Sequence, residues 1–149
     1  GKRGIVVGLK TARGVAIVRG LAATADVLVE NYRPGVMAKL GLDYATLRSE
    51  CPRLIYASIS GYGQTGPASG KGGFDLVAQG VSGLISFTGE PGRPPVKVGI
   101  PVTDLGAGLF AVCGILAALR HRERSGVESL LEYEKTQASD ISRVPPIEA

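Results

Sequence analysis

The run from Ala25 to Gly66, ADVLVENYRPGVMAKLGLDYATLRSECPRLIYASISGYGQTG, decides the fold class. Asp26 to Glu30 is rich in Val and Leu and reads as a short buried strand. Pro34 suits the start of a helix and Gly41 its stop, so a short helix is expected between them. Asp43 can cap another helix running to about Ser49. Leu54 to Ile59 reads as the next strand. Two strands joined through helices predict parallel pairing by a right-handed crossover. The glycine-rich stretch Gly61 to Gly73 then falls after the carboxyl end of a strand, where α/β sheets hold ligands.

Outward from this centre the pattern repeats. Ile5-Val6-Val7 is a short strand candidate, and Thr11 can cap a helix over 12–23 with Val15, Val18 and Ala22 on one face. Phe74 to Phe87 reads as helical, weakened by Gly80 and Gly83. Glu90 to Pro95 is a turn-rich connector, and Val96 to Gly99 is extended. The strongest helix runs from Thr103, its expected cap, to Arg122. Leu105, Leu109, Val112, Cys113, Leu116 and Leu119 line one face; Phe110, Ile115 and Ala117 make the other apolar, so burial on most sides is expected. From Glu132 to Ala149 charges, Ser, Thr and Pro145-Pro146 mix with little periodicity, which predicts loose packing or disorder.

The 149 residues suit about one domain, and the net charge is +4. The basic residues are scattered rather than clustered, which disfavours a nucleic-acid surface and suits an anionic small ligand. Two cysteines, Cys51 in a turn and Cys113 in the apolar helix, make no disulfide framework and read as free thiols. No signal-like opening is present, and no charge-free apolar stretch reaches ~18 residues, so no membrane span and a cytoplasmic location are expected.

Familiar chemical motifs are absent or broken. Gly61-Tyr62-Gly63-Gln64-Thr65-Gly66 is a literal GxGxxG after a strand, but Pro67 and further glycines follow, so no helix opens to receive a pyrophosphate. Around Gly66, Gly70 and Lys71 a phosphate-loop pattern fails: the glycine spacing is one residue short, and Gly72 stands where a metal-binding hydroxyl belongs. One histidine and two distant cysteines give no metal-ligand spacing. That histidine, His121, lies in Arg120-His121-Arg122-Glu123-Arg124, which reads as a solvated last helical turn.

Four phrases together resemble the class III CoA-transferase family, which also contains 2-methylacyl-CoA racemases. They are Glu30-Asn31-Tyr32-Arg33-Pro34-Gly35, Ser58-Ile59-Ser60-Gly61-Tyr62-Gly63-Gln64-Thr65-Gly66-Pro67, Gly73-Phe74-Asp75-Leu76-Val77-Ala78-Gln79-Gly80-Val81-Ser82-Gly83, and Val98-Gly99-Ile100-Pro101-Val102-Thr103-Asp104-Leu105. The resemblance implies a partial Rossmann-like α/β fold, a parallel sheet with flanking helices. It also implies coenzyme A, carried as an acyl-CoA substrate, with a small carboxylic acid as acceptor, no metal, and a homodimer. By the same resemblance Asn31, Tyr32, Arg33, Ser60, Gly61 and Tyr62 contact CoA, and Asp104 is the nucleophile. A first-turn Asp is common at helix starts for dipole reasons alone, so composition would not single Asp104 out. The implied chemistry is covalent: an aspartyl anhydride, then an aspartyl-CoA thioester. The racemase branch places a His before the aspartate of the third phrase, where this chain has Phe74; Asp75 then reads as structural, a helix cap. A CoA-binding or self-associating remnant without turnover is the further alternative.

The resemblance fades after Arg124-Ser125-Gly126. Members of the family are longer at both ends, so residues 1–126 are read as part of the large domain and 127–149 as a divergent tail.

Overall fold

The computed structural model describes residues 1–125 and 130–134. Helix α1 spans Ala12–Ala22, and Thr11 caps it: its hydroxyl oxygen accepts from Gly14 N–H at 3.1 Å. Strand β1 is Val27–Glu30, helix α2 Val36–Lys39, helix α3 Tyr44–Glu50 and strand β2 Ile55–Ser60. Helix α4, Asp75–Val81, is followed by a 3-10 turn over Leu84–Phe87, then helix α5, Val102–Ser125, and strand β3, Leu130–Glu134. The three strands lie parallel in the order β1-β2-β3, with Val27 opposite Ile55 and Tyr56 opposite Leu130. Helices α2 and α3 connect the first pair, and α4 and α5 the second, as parallel strands require. The α/β expectation therefore holds.

The core sits between α1, α3 and β2. Ala22, Met37, Leu42, Leu47, Cys51, Leu54 and Tyr56 form one buried cluster. The Tyr44 and Tyr56 rings meet edge-on, centroids 6.1 Å apart. Tyr56 donates its hydroxyl to Leu42 C=O at 3.3 Å. Burial, then the charges of Glu30 and Asp43, push its phenol pKa far up.

Several expectations are corrected. Ile5 and Val6 are exposed and belong to no strand; no partner strand borders them among the described residues. Strand β1 is only partly buried, with Val29 turned outward, because it is an outer strand of the sheet. The helix read over 74–87 breaks at Gly83, whose φ of 78° leaves the helical region. Leu130–Glu134 form β3, so the tail read from 127 onward supplies a strand; the remainder of that tail, 127–129 and 135–149, lies outside the described residues.

The largest correction concerns α5. Its buried positions are Thr103, Ala107, Ala111, Ala118 and Arg122, while Leu105, Leu109, Phe110, Val112, Cys113 and Leu116 are exposed. A close helix–sheet contact selects the stripe of small residues. The leucine face that the periodicity marks as core looks outward. Arg122, read as solvated, is 8% exposed. It donates to Arg53 C=O at 2.6 Å, Asp26 C=O at 3.3 Å and Asp26 Oδ1 at 2.6 Å, which ties the end of α5 to the starts of β1 and β2. By length and mean hydropathy, 2.0 over its apolar window, α5 is able to cross a bilayer. Its polar ties at Thr103 and Arg122 are those of a helix packed on a sheet.

Candidate functional site

The carboxyl ends of β1 and β2 and the amino end of α5 converge on one open cavity of about 330 Å³. Asn31, Tyr32, Arg33 and Pro34 enter it from the turn after β1, and Ser60 and Gly61 from the end of β2. Lys71, Gly72, Gly73 and Phe74 come from the far end of the glycine-rich loop, and Asp104 from the first turn of α5. Five of the six candidate CoA-contact residues thus share a wall with Asp104. Tyr62 is not among the residues that line the cavity; it is half-buried in the glycine-rich loop.

Each part is held by a local cause. Glu30 is buried at the end of β1 and accepts from the Ser58 hydroxyl and, at 2.7 Å, from Tyr32 N–H. Gln64 donates to Ser58 Oγ at 2.7 Å, so the same carboxylate steadies the loop. Asn31 donates its side-chain amide to Ile59 C=O at 2.6 Å, bridging the two strand ends. The loop closes on itself where Gly61 and Gly73 touch backbone to backbone: a Cβ on Gly73 would lie 2.0 Å from Gly61 Cα. The cavity wall is therefore bare peptide at this point, open to close approach by a ligand. Arg33 lies along Gly72, its guanidinium 3.4 Å from where a Cβ there would stand.

Helix α5 starts at Val102 after Pro101, which has no side-chain acceptor to cap it. Thr103 is not the cap; it is the second helical residue, 1% exposed. The cap comes from Asp75 at the start of α4. Its carboxylate accepts from Thr103 N–H at 2.9 Å, from the Thr103 hydroxyl at 2.7 Å and from Asp104 N–H. These are among the donors that a helix start leaves without an intrahelical partner. Burial alone would raise the Asp75 carboxyl; the Thr103, Gln79 and Asp104 hydrogen bonds outweigh it and hold the group below its ordinary range.

The arrangement offers an exposed carboxylate at a helix N-terminus, two cations (Arg33 and Lys71) on the same wall, and glycine backbone beside them. Cations and bare peptide suit an anionic, phosphate-bearing ligand. The carboxylate can act as an acceptor or a nucleophile. Arg33 also lines a second cavity of about 300 Å³ with Glu30, Asp43, Tyr44, Tyr56 and Gln64, so it stands between the two. His121 is seventeen positions along α5 from Asp104, roughly 25 Å at the helical rise, and plays no part here. Lys71 and Phe74 were not candidates from sequence; a lysine beside glycines at the end of a ligand-side loop was the available signal.

A model described as CoA-transferase family III matches residues 1–139, past the point where the motif resemblance fades. The chain is 52% identical to a succinate–glutarate CoA-transferase of Agrobacterium fabrum over 85% of its own length and 32% of that relative's. It is 48% identical to the succinyl-CoA:glutarate CoA-transferase of Mus musculus over 84% of its length and 29% of the relative's. A crystal structure of a CaiB/BaiF family protein from Brucella suis superposes with a TM-score of 0.90 at 39% identity, covering 93% of this chain and 36% of that one. The chain spans about a third of the length of the curated relatives it matches. The four motifs fall in one parallel α/β unit, each of them reaches its cavity, and the family match runs through β3: the chain belongs to CoA-transferase family III.

Proposed function

We propose that this chain carries the acyl-CoA side of a CoA-transferase that moves CoA from an acyl-CoA to a small carboxylic acid, with Asp104 as nucleophile. The observation that carries the reading is the single cavity in which Asp104 meets Asn31, Tyr32, Arg33, Ser60 and Gly61. An Asp104 carboxylate oxygen attacks the thioester carbonyl, the C–S bond breaks, and CoA thiolate leaves a mixed anhydride. The thiolate then attacks the aspartyl carbonyl, the anhydride C–O bond breaks, and the donor leaves as a carboxylate. The acceptor carboxylate attacks the aspartyl-CoA thioester and the steps run in reverse, regenerating Asp104. No proton is gained or lost overall. Thioester and anhydride are both activated acyl groups, so activation passes along instead of being lost to water.

Arg33 and Lys71 bind the phosphates in this scheme, and the peptide groups at Gly72 and Gly73 face the developing oxyanions. The racemase alternative loses ground because Phe74, which has no proton to transfer, is the wall residue. A homodimer belongs to the same proposal: Phe74, Leu76, Leu105, Leu109 and Phe110 are exposed and apolar, and a second copy would cover them.

The test is intact mass after incubation with succinyl-CoA, beside Asp104→Asn. A CoA-sized adduct, absent from the variant and released by hydroxylamine, is the expected result. A folded chain that gains no adduct refutes covalent chemistry by this chain and favours a CoA-binding unit without turnover.

A further inference from the structure

The cap on α5 does more than end a helix. Asp75 directly follows the pair Gly73-Phe74, which lines the cavity, yet it does not line it itself. Its carboxylate is saturated from within the protein. Thr103 N–H and hydroxyl reach Oδ1 at 2.9 and 2.7 Å, Gln79 Nε2 reaches Oδ2 at 2.7 Å, and Asp104 N–H adds a further bond. Gln79 is fully buried, and both ends of its amide are in use. Its oxygen accepts from Val98 N–H at 2.9 Å, and its nitrogen also reaches Ile100 C=O at 3.4 Å. One brace therefore joins the end of the glycine-rich loop, the start of α4, the connector 98–100 and the peptide planes of Thr103 and Asp104.

We propose that Asp75, braced by Gln79 and Thr103, is a positioning residue that sets the distance between the Asp104 carboxylate and the glycine-rich wall of the cavity. The proposal rests on the reading of Asp104 as nucleophile. Asp75 takes no part in proton transfer: both its oxygens are engaged and neither faces the cavity. It acts through the Asp104 backbone. Asp75→Asn is then not a silent exchange. Oδ1 is the atom that accepts twice from Thr103, so the new NH₂ takes the Oδ2 position and meets Gln79 Nε2, donor against donor. Gln79 cannot flip to relieve this without losing its bond from Val98 N–H.

The experiment compares the wild-type chain, Asp75→Asn, Thr103→Val, Thr103→Ser and Asp104→Asn, with succinyl-CoA as the probe. It reads the rate of the hydroxylamine-sensitive adduct across succinyl-CoA concentrations, and amide hydrogen exchange at residues 103 and 104. The expected result for Asp75→Asn is a saturating rate lowered about 10- to 100-fold, the order that a misplacement near 1 Å produces. The half-saturating concentration stays within about twofold of wild type, since the phosphate-binding wall is untouched, and exchange at 103 and 104 quickens. Thr103→Val gives a smaller loss in the same parameter, and Thr103→Ser, which keeps the hydroxyl donor, restores the rate. An unchanged saturating rate in Asp75→Asn, with the adduct lost in Asp104→Asn, overturns the positioning role alone. So does a loss confined to the half-saturating concentration. An adduct kept by Asp104→Asn, or missing from wild type, overturns the nucleophile reading and this proposal with it. If Asp75→Asn does not fold, the Thr103 pair decides: equal rates in Val and Ser variants refute the brace.

Discussion

Gly73→Ala is the sharpest single perturbation of the site. The added Cβ would stand 2.0 Å from Gly61 Cα and 3.0 Å from Gly61 N, and the reciprocal Cβ on Gly61 would stand 2.3 Å from Gly73 Cα. Backbone faces backbone, so no side chain can swing away. To reach ordinary contact near 3.4 Å the two segments must part by roughly 1.4 Å. Overpacking of this kind costs about 1–3 kcal/mol, and in a chain of this size each kcal/mol lowers Tm by about 2–4 °C. We therefore expect a Tm lower by about 2–12 °C by far-UV circular dichroism. The parted segments are the end of β2 and the wall beside Asp104, so the rate of the succinyl-CoA adduct should fall by about 10²-fold. Gly70→Ala is the matched control, because nothing lies within 4 Å of its Cβ. Equal Tm and equal adduct rate for the Gly73 variant and wild type, or equal damage in the Gly70 variant, would refute the backbone-contact argument.

Two further outcomes follow from the ties of α5 and α4. Arg122→Met removes the donor to Arg53 C=O and leaves that acceptor without its partner, whereas Asp26 C=O keeps its bond from Ile55 N–H at 3.0 Å. Urea unfolding should show a loss of about 1–3 kcal/mol, and Asp26→Asn, whose side chain is 76% exposed, should cost under about 1 kcal/mol; an Arg122 loss no larger than the Asp26 loss contradicts this assignment. Asp75 predicts an acid-side slope. Its folded pKa is depressed, so its contribution to stability is fully present above the ordinary carboxylate pKa of about 3.9 and is lost as pH falls through the lower folded value. The difference in Tm between wild type and Asp75→Asn should hold steady from pH 7 to about 5 and shrink below about 4; a difference that grows on acidification has the wrong sign for a depressed carboxyl.

Sequence periodicity located most elements within a residue or two because their signals are local. Thr11 capping, the β-rich run before Ser60 and the turn at Gly41, with a φ of 64°, each act over a few residues. It failed where the deciding partner was distant. Val6 looks like a strand, but a strand is a pairing, and no strand accompanies it among the described residues. In α5 nearly every face is apolar, so the pattern does not say which face packs; the sheet selects Ala107, Ala111 and Ala118 because small side chains allow close approach. Arg122 looked solvated because its acceptors, Asp26 and Arg53, are far away in sequence.

The sequence by itself determined the α/β class, the parallel order implied by strands joined through helices, and the family, since its motifs recur at fixed places along the chain. It also marked Asp104, though only through motif resemblance. Tertiary structure alone decided that Asp104 shares a cavity with Asn31, Tyr32, Arg33, Ser60 and Gly61, and that Tyr62 does not. It alone decided that α5 is capped by a carboxylate 28 residues earlier rather than by its own Thr103. The physical reason is range. Capping turns and strand propensities are short-range and are written in neighbouring residues. A carboxylate that closes another helix, and a loop whose two glycines touch, depend on distances that exist only once the sheet has assembled.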